Sequence, residues 1–267
     1  MSRDKLTTLS NAANRAFYDG NFQKALKLYT EAIQLDPTNF ILFSNRSAIF
    51  LRLKYFRESL DDAKQSIALN SKWAKGYFRK GDALCGFGKF DEAIFAYCQS
   101  LTIENEIETI NALKDSLYYS SIKDHLSILL NEIGNDTNDM KLNSFLIISM
   151  IGQEYLSIGH LFEAIELLQL ALDMDEANVV SLDLKLSVLG AISSAYYQQK
   201  NYQQTIKYLE MELEITKQLG ELEKQLTIYS SIVRITLLND ETILAINYLR
   251  KQIELMHSVR KYFVKLL

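Results

Sequence analysis

One period dominates this chain. Asn21-Phe22-Gln23-Lys24-Ala25 returns as Lys54-Tyr55-Phe56-Arg57-Glu58-Ser59 and again as Lys89-Phe90-Asp91-Glu92-Ala93, so that Ala25, Ser59 and Ala93 stand 34 residues apart. A repeat of that length is one helix–turn–helix unit, which cannot bury its apolar face alone and stacks on its neighbours. Composition points the same way. The 267 residues include one proline, Pro37, and only 10 glycines. A β-rich fold needs many turns, and turns draw on both residues. Long helices joined by short polar links are therefore expected.

The three copies match position by position. The first has Ala13 and Ala16 on its first helix, Ala25, Tyr29 and Ala32 on its second, and Pro37 at its close. The second spans Phe40–Lys72, with Ser47, Phe50, Ser59 and Ala63; the third spans Trp73–Glu106, with Gly81, Leu84, Ala93 and Tyr97. Small residues let antiparallel helices approach, and proline stops the unit because it cannot continue a helix. In these residues the chain resembles the tetratricopeptide-repeat family. The resemblance implies an all-α fold, a right-handed α–α superhelix of helix–turn–helix repeats.

After Glu106 the register is lost. Residues 107–133 keep apolar residues at helical spacing and predict a degenerate repeat or cap. Gly134–Asp139 is the most turn-prone stretch and marks a module boundary. Repeats resume from Phe145, and Ala164, Thr205 and Ala245 are then spaced 41 and 40 apart, with Leu249 expected to follow Ala245 at a packing position. The longer period predicts longer helices, such as Tyr202–Leu219 capped by Gly220. The expected division is 1–106, three 34-residue repeats; 107–140, a helical spacer and loop; and 141–267, longer repeats. Ile253, Leu255, Met256, Val259, Phe263 and Val264 leave the last helix apolar, where a terminal repeat is expected to be polar. Either a continuing array covers this end or the end self-associates, and the first reading is preferred.

Repeat arrays of this family bind peptides on the face lined by the first helix of each pair. Asn14, Asn45, Lys75 and Arg79 are the polar candidates there. Lys75 and Arg79 are four apart and share a helix face. Two cations with two amides suit a carboxylate through charge-assisted hydrogen bonds. The segments Ser44-Asn45-Arg46-Ser47 and Trp73-Ala74-Lys75-Gly76-Tyr77-Phe78-Arg79-Lys80 resemble the carboxylate-clamp repeats of chaperone adaptors, which grip the acidic C-terminal tails of heat-shock chaperones. The resemblance implies a peptide site at Asn14, Asn45, Lys75 and Arg79, four of the five clamp residues. The fifth, a lysine in that family, is Ser10 here.

A wider likeness rests on Ile151-Gly152-Gln153-Glu154-Tyr155, Ser193-Ser194-Ala195-Tyr196 and Leu213–Gly220. These are similar to a large multi-repeat animal branch of the family associated with the spindle midzone and midbody. That implies a non-enzymatic scaffold in cell division. The alternative is a co-chaperone-like adaptor for acidic tails, and a third reading is a structural piece of an array.

Other chemistry is not indicated. There is no phosphate loop, nucleophile elbow or zinc-finger spacing, and no cofactor or metal is expected. His125, His160 and His257 are scattered and read as surface or helix-end residues. Asp61-Asp62 and Asp91-Glu92 fit solvent-facing positions. Phe17, Tyr29, Phe50, Tyr77, Phe90 and Tyr97 read as core, and Trp73 as packing between repeats two and three. Cys85 and Cys98 read as buried, reduced thiols. Residues 1–100 carry 15 Lys/Arg against 10 Asp/Glu, and residues 101–267 carry 14 against 23. The basic excess suits an acidic peptide better than nucleic acid, which draws a denser stripe. No apolar leader and no run long enough for a bilayer is seen. The expected partners are therefore peptides, without nucleic acid or membrane, in the cytoplasm or at the spindle.

Overall fold

A computed structural model describes residues 2–123, 140–174 and 180–266. These form thirteen helices, and no strand occurs among the described residues. The chain divides into two compact units, residues 1–144 and 145–267. Counted by unit, the charge contrast softens. The first unit balances 18 Lys/Arg against 18 Asp/Glu, and the second carries 11 against 15.

In the first unit, α1 (Ser2–Tyr18) pairs with α2 (Phe22–Leu35), α3 (Phe40–Arg52) with α4 (Phe56–Leu69), and α5 (Ala74–Gly86) with α6 (Phe90–Ile103); α7 (Ile107–Tyr119) packs on α6. The repeat positions explain the close pairing. A β-carbon on Gly81 would stand 2.5 Å from the Tyr97 ring. The equivalent Ala13 is fully buried among Ala16, Ala25 and Tyr29. In the middle repeat, Ser47 and Ser59 replace this apolar contact with reciprocal bonds to each other's carbonyls, at 2.8 and 2.9 Å. Ser66 and Ser100, again 34 apart, donate to the Phe40 and Ala74 carbonyls at the starts of α3 and α5. Trp73 packs edge-on against Phe40, ring centroids 5.3 Å apart, at the junction of repeats two and three. Of the six aromatics read as core, Tyr29 and Tyr97 are buried and Phe17, Phe50, Tyr77 and Phe90 are half-buried.

In the first unit three expectations need correction. Helix was expected through residues 107–133, but α7 ends at Tyr119. Ser120 takes extended backbone, and Asp91 captures the Ser121 amide and hydroxyl at 3.3 and 2.9 Å, pulling the chain off the helix axis. Residues 124–139, with His125 and the boundary stretch Gly134–Asp139, lie outside the described residues. Asp62 is buried rather than solvent-facing, because Arg46 of the neighbouring helix meets it with two nitrogens at 2.7 and 2.8 Å. Finally, only Cys98 is buried, and Cys85 is half-buried.

The second unit contains α8 (Met140–Ser157), most of which lies within it, and α9 (Leu161–Asp173), α10 (Leu182–Gln198), α11 (Tyr202–Leu219), α12 (Leu222–Leu238) and α13 (Thr242–Leu266). α11 has the expected bounds, and Gly220 ends it with φ 71° in the left-handed region that favours glycine. Ala164 and Thr205 are buried as the repeat demands, and so is Ala245. The expected partner of Ala245, Leu249, is exposed, and Tyr248 fills the gap instead, its ring 6.3 Å from that of Tyr229.

Candidate peptide-binding groove

From the second repeat on, alternate helices are neighbours, since α3 touches α5 and α5 touches α7. Beneath them the tyrosines of the second helices supply the polar floor. Tyr29 is 1% exposed, yet its hydroxyl bonds upward. It donates to Asn14 Oδ1 on α1 and accepts from Asn45 Nδ2 of α3 at 3.0 Å. Burial pushes the Tyr29 phenol up, so it stays a neutral bridge. The bridge orients both amides. Asn14 is exposed and keeps its Nδ2 donor; Asn45 is half-buried and keeps one N–H.

On α5, Lys75 is exposed and joins no ion pair among the described residues, while Arg79 one turn later is half-buried. Arg79 Nη1 meets Asp82 Oδ2 at 2.9 Å, and its guanidinium lies 5.0 Å from the Phe78 ring centre. The other Asp82 oxygen accepts the Tyr97 hydroxyl at 2.9 Å. Burial pushes the Asp82 carboxyl up, opposed by Arg79 and by the Tyr97 bond. Cys85 Sγ lies 3.7 Å from the same hydroxyl and 3.2 Å from Ser116 Oγ, and burial raises its thiol too.

Thus Asn14 and Asn45 are tied to one hydroxyl, and Lys75 and Arg79 ride one helix. Arg46, beside Asn45, is spent on Asp62 and on Thr30 Oγ1 at 3.3 Å. Asp82 is the residue that sequence reasoning missed. It stands 68 residues after Asn14, as Tyr97 does after Tyr29. Two periods of 34 would have flagged it as the counterpart of Asn14.

Residues 7–39 and 74–107 match family profiles described as the tetratricopeptide repeat. This chain belongs to the tetratricopeptide-repeat family. It is similar to human tetratricopeptide repeat protein 28, 33% identical over 224 residues, 83% of this chain and 9% of that protein. It is also similar to a Plasmodium falciparum Hsp70-Hsp90 organising protein, 26% identical over 145 residues, 54% of this chain and 58% of the relative. The chain thus spans less than two thirds of either relative. Among solved structures, the first TPR of Spaghetti (RPAP3) bound to the HSP90 peptide SRMEEVD is 32% identical with a TM-score of 0.41, covering 42% of this chain and 93% of that one. No described helix of this tetratricopeptide-repeat chain is long and apolar enough to cross a membrane, and among the described residues no group of three metal-ligating side chains is placed to hold a metal.

Proposed function

We propose that the protein is a peptide-binding scaffold, without catalysis, whose first unit takes the free carboxylate of an acidic C-terminal tail. The observation that carries this is the Tyr29 bridge. It holds the amides of Asn14 and Asn45 in fixed orientation, and in this reading Lys75 and Arg79 of α5 complete the same site. Donors oriented in advance lose less freedom when a ligand arrives. A carboxylate would take one N–H from each amide and charge-assisted bonds from the two cations. The name of the Plasmodium relative, an Hsp70-Hsp90 organising protein, supports an adaptor for chaperones. The cell-division reading rests on the likeness to the large animal relative alone, and the groove speaks for the acidic tail.

Ser10 and Asp82 set the strength. Ser10 adds no charge where the clamp family has a lysine, and Asp82 competes for Arg79. Each charge-assisted bond is worth roughly 1.5–3 kcal/mol when partly desolvated, so the expected affinity is modest. The test is calorimetric titration of an acidic heptapeptide with a free C-terminus, against its amidated twin. The free acid should bind at least about tenfold tighter. The double reversal Lys75→Glu, Arg79→Glu should abolish the difference. Equal binding of both peptides, or binding of neither, overturns the reading.

A further inference from the structure

The second unit has a groove of its own. It runs between α10 and α12, with α11 as its floor, and encloses about 600 Å³. Its walls include Leu186 and Ile228, and its rim carries Asp183 and Glu223, acids in the first turns of α10 and α12. Glu212 of α11 projects into it from below. One Glu212 oxygen accepts the Ser193 hydroxyl at 2.8 Å. The other lies beside Gly190, 3.8 Å from where a β-carbon on that residue would stand, and no hydrogen-bond partner is seen for it among the described residues.

We propose that this groove binds a linear peptide segment through one arginine or lysine, whose charged head seats on Glu212 while flanking apolar side chains lie against Leu186 and Ile228. The charge balance selects that occupant. Three carboxylates face the groove, and the one lysine on it, Lys224, is committed to Glu221 at 2.8 Å. Glu212 joins no ion pair among the described residues, and its burial lifts the carboxyl to about 7. A half-buried carboxylate with one neutral partner is costly to ionise, and an incoming cation reverses that cost. An acidic segment would meet repulsion from all three acids. A bare metal ion does not fit, because no three acids are close enough to ligate it. A long cationic side chain reaches from the rim to the floor, and the apolar walls suit the residues beside it. This site lies outside the unit that carries the proposed carboxylate site and stands without it.

The probe is a set of capped decapeptide pools, randomised except for a fixed central arginine, citrulline or glutamate. Retention on the immobilised full chain is measured. The arginine pool should be retained at least about tenfold more strongly than the citrulline pool, which has the same shape without the charge. Glu212→Gln should erase that preference while leaving citrulline retention unchanged, and Glu223→Gln, an exposed rim change that spares the packing, should weaken it. Lowering the pH from 8 to 6 should reduce arginine retention by up to about tenfold in the wild type only. The other charged groups lining the groove with Glu212 are Asp183 from α10 and Glu223 and Lys224 from α12. Equal retention of the arginine and citrulline pools, retention of neither, preference for glutamate, or a preference that survives Glu212→Gln would each overturn the proposal.

Discussion

The two units use one turn and differ in almost everything it connects. In every repeat a residue in the left-handed region precedes the small residue of the second helix by five positions. The pairs are Gly20 and Ala25, Lys54 and Ser59, Gly88 and Ala93 in the first unit. In the second they are Gly159 and Ala164, Lys200 and Thr205, Asp240 and Ala245. Between turns, α3 to α6 have 13 or 14 residues, while α10 to α12 have 17 or 18. The floors differ as well. Tyrosine hydroxyls reach up to polar partners in the first unit, whereas a carboxylate with one serine partner does so in the second. The turn and the close contact set the repeat; helix length and floor chemistry are then free to set the ligand.

Two glycines give the largest break in this comparison. Gly81→Ala should destabilise the first unit by about 1–3 kcal/mol, the usual cost of overpacking. The Tyr97 ring it strikes has no room to retreat, with Phe78 beside it and its hydroxyl held by Asp82. Gly190→Ala, inside α10, meets only a Glu212 oxygen at 3.8 Å and should stabilise the second unit by about 0.5–1 kcal/mol through helix propensity. Guanidinium titrations separate the two, because the single tryptophan, Trp73, reports on the first unit alone while circular dichroism follows both. An unchanged Trp73 midpoint in Gly81→Ala would show that the helices can part at no cost.

The next effect is about 1–2 kcal/mol and belongs to Glu212. Its folded carboxyl is raised to about 7 from 4.5 by burial, outweighing the Ser193 bond. A raised carboxyl favours the folded state fully below its unfolded value, and that advantage is lost as pH rises through the folded one. The second unit should therefore weaken between about pH 4.5 and 7, and Glu212→Gln should flatten that slope. Melts followed by circular dichroism at pH 5 and pH 8 check it. Parallel curves for variant and wild type would mean the carboxylate is better solvated than its position implies.

What the sequence made legible follows from what periodicity can encode. The 34-residue spacing located the helix pairs, and the apolar pattern with Gly220 located both ends of α11. Periodicity names the face a residue occupies, and it is silent on the partner across from that face. Asp62 reads as a solvent acid on α4 until Arg46 arrives from α3, sixteen residues earlier in the chain. Asp82 reads as an ordinary surface acid until α6 brings the Tyr97 hydroxyl to it. The resemblance proposes Asn14, Asn45, Lys75 and Arg79 as the site; the hydroxyl joining the first two was hidden because a repeat tyrosine is expected to be core, and Tyr29 is buried yet bonds through its oxygen.

The smallest predicted effect compares the two tyrosines directly. Tyr29 and Tyr97 occupy equivalent positions, and each donates to a residue fifteen places earlier, Asn14 in one repeat and Asp82 in the other. Asp82→Asn converts the second arrangement into the first. The Tyr97 hydroxyl keeps an amide oxygen to bond, so the floor stays satisfied. Arg79 loses its ion pair and turns fully to the groove. A partly buried pair loses much of its attraction to desolvation, so it is worth little, about 1 kcal/mol or less. Calorimetry should therefore show the free-acid heptapeptide binding about three- to fivefold tighter, with the amidated twin unchanged. A fall in affinity would reverse the role of Asp82, from a competitor for Arg79 to the residue that holds its guanidinium in place. The comparison would then teach that the two tyrosines do the same work, each fixing a groove residue through the neighbour it bonds.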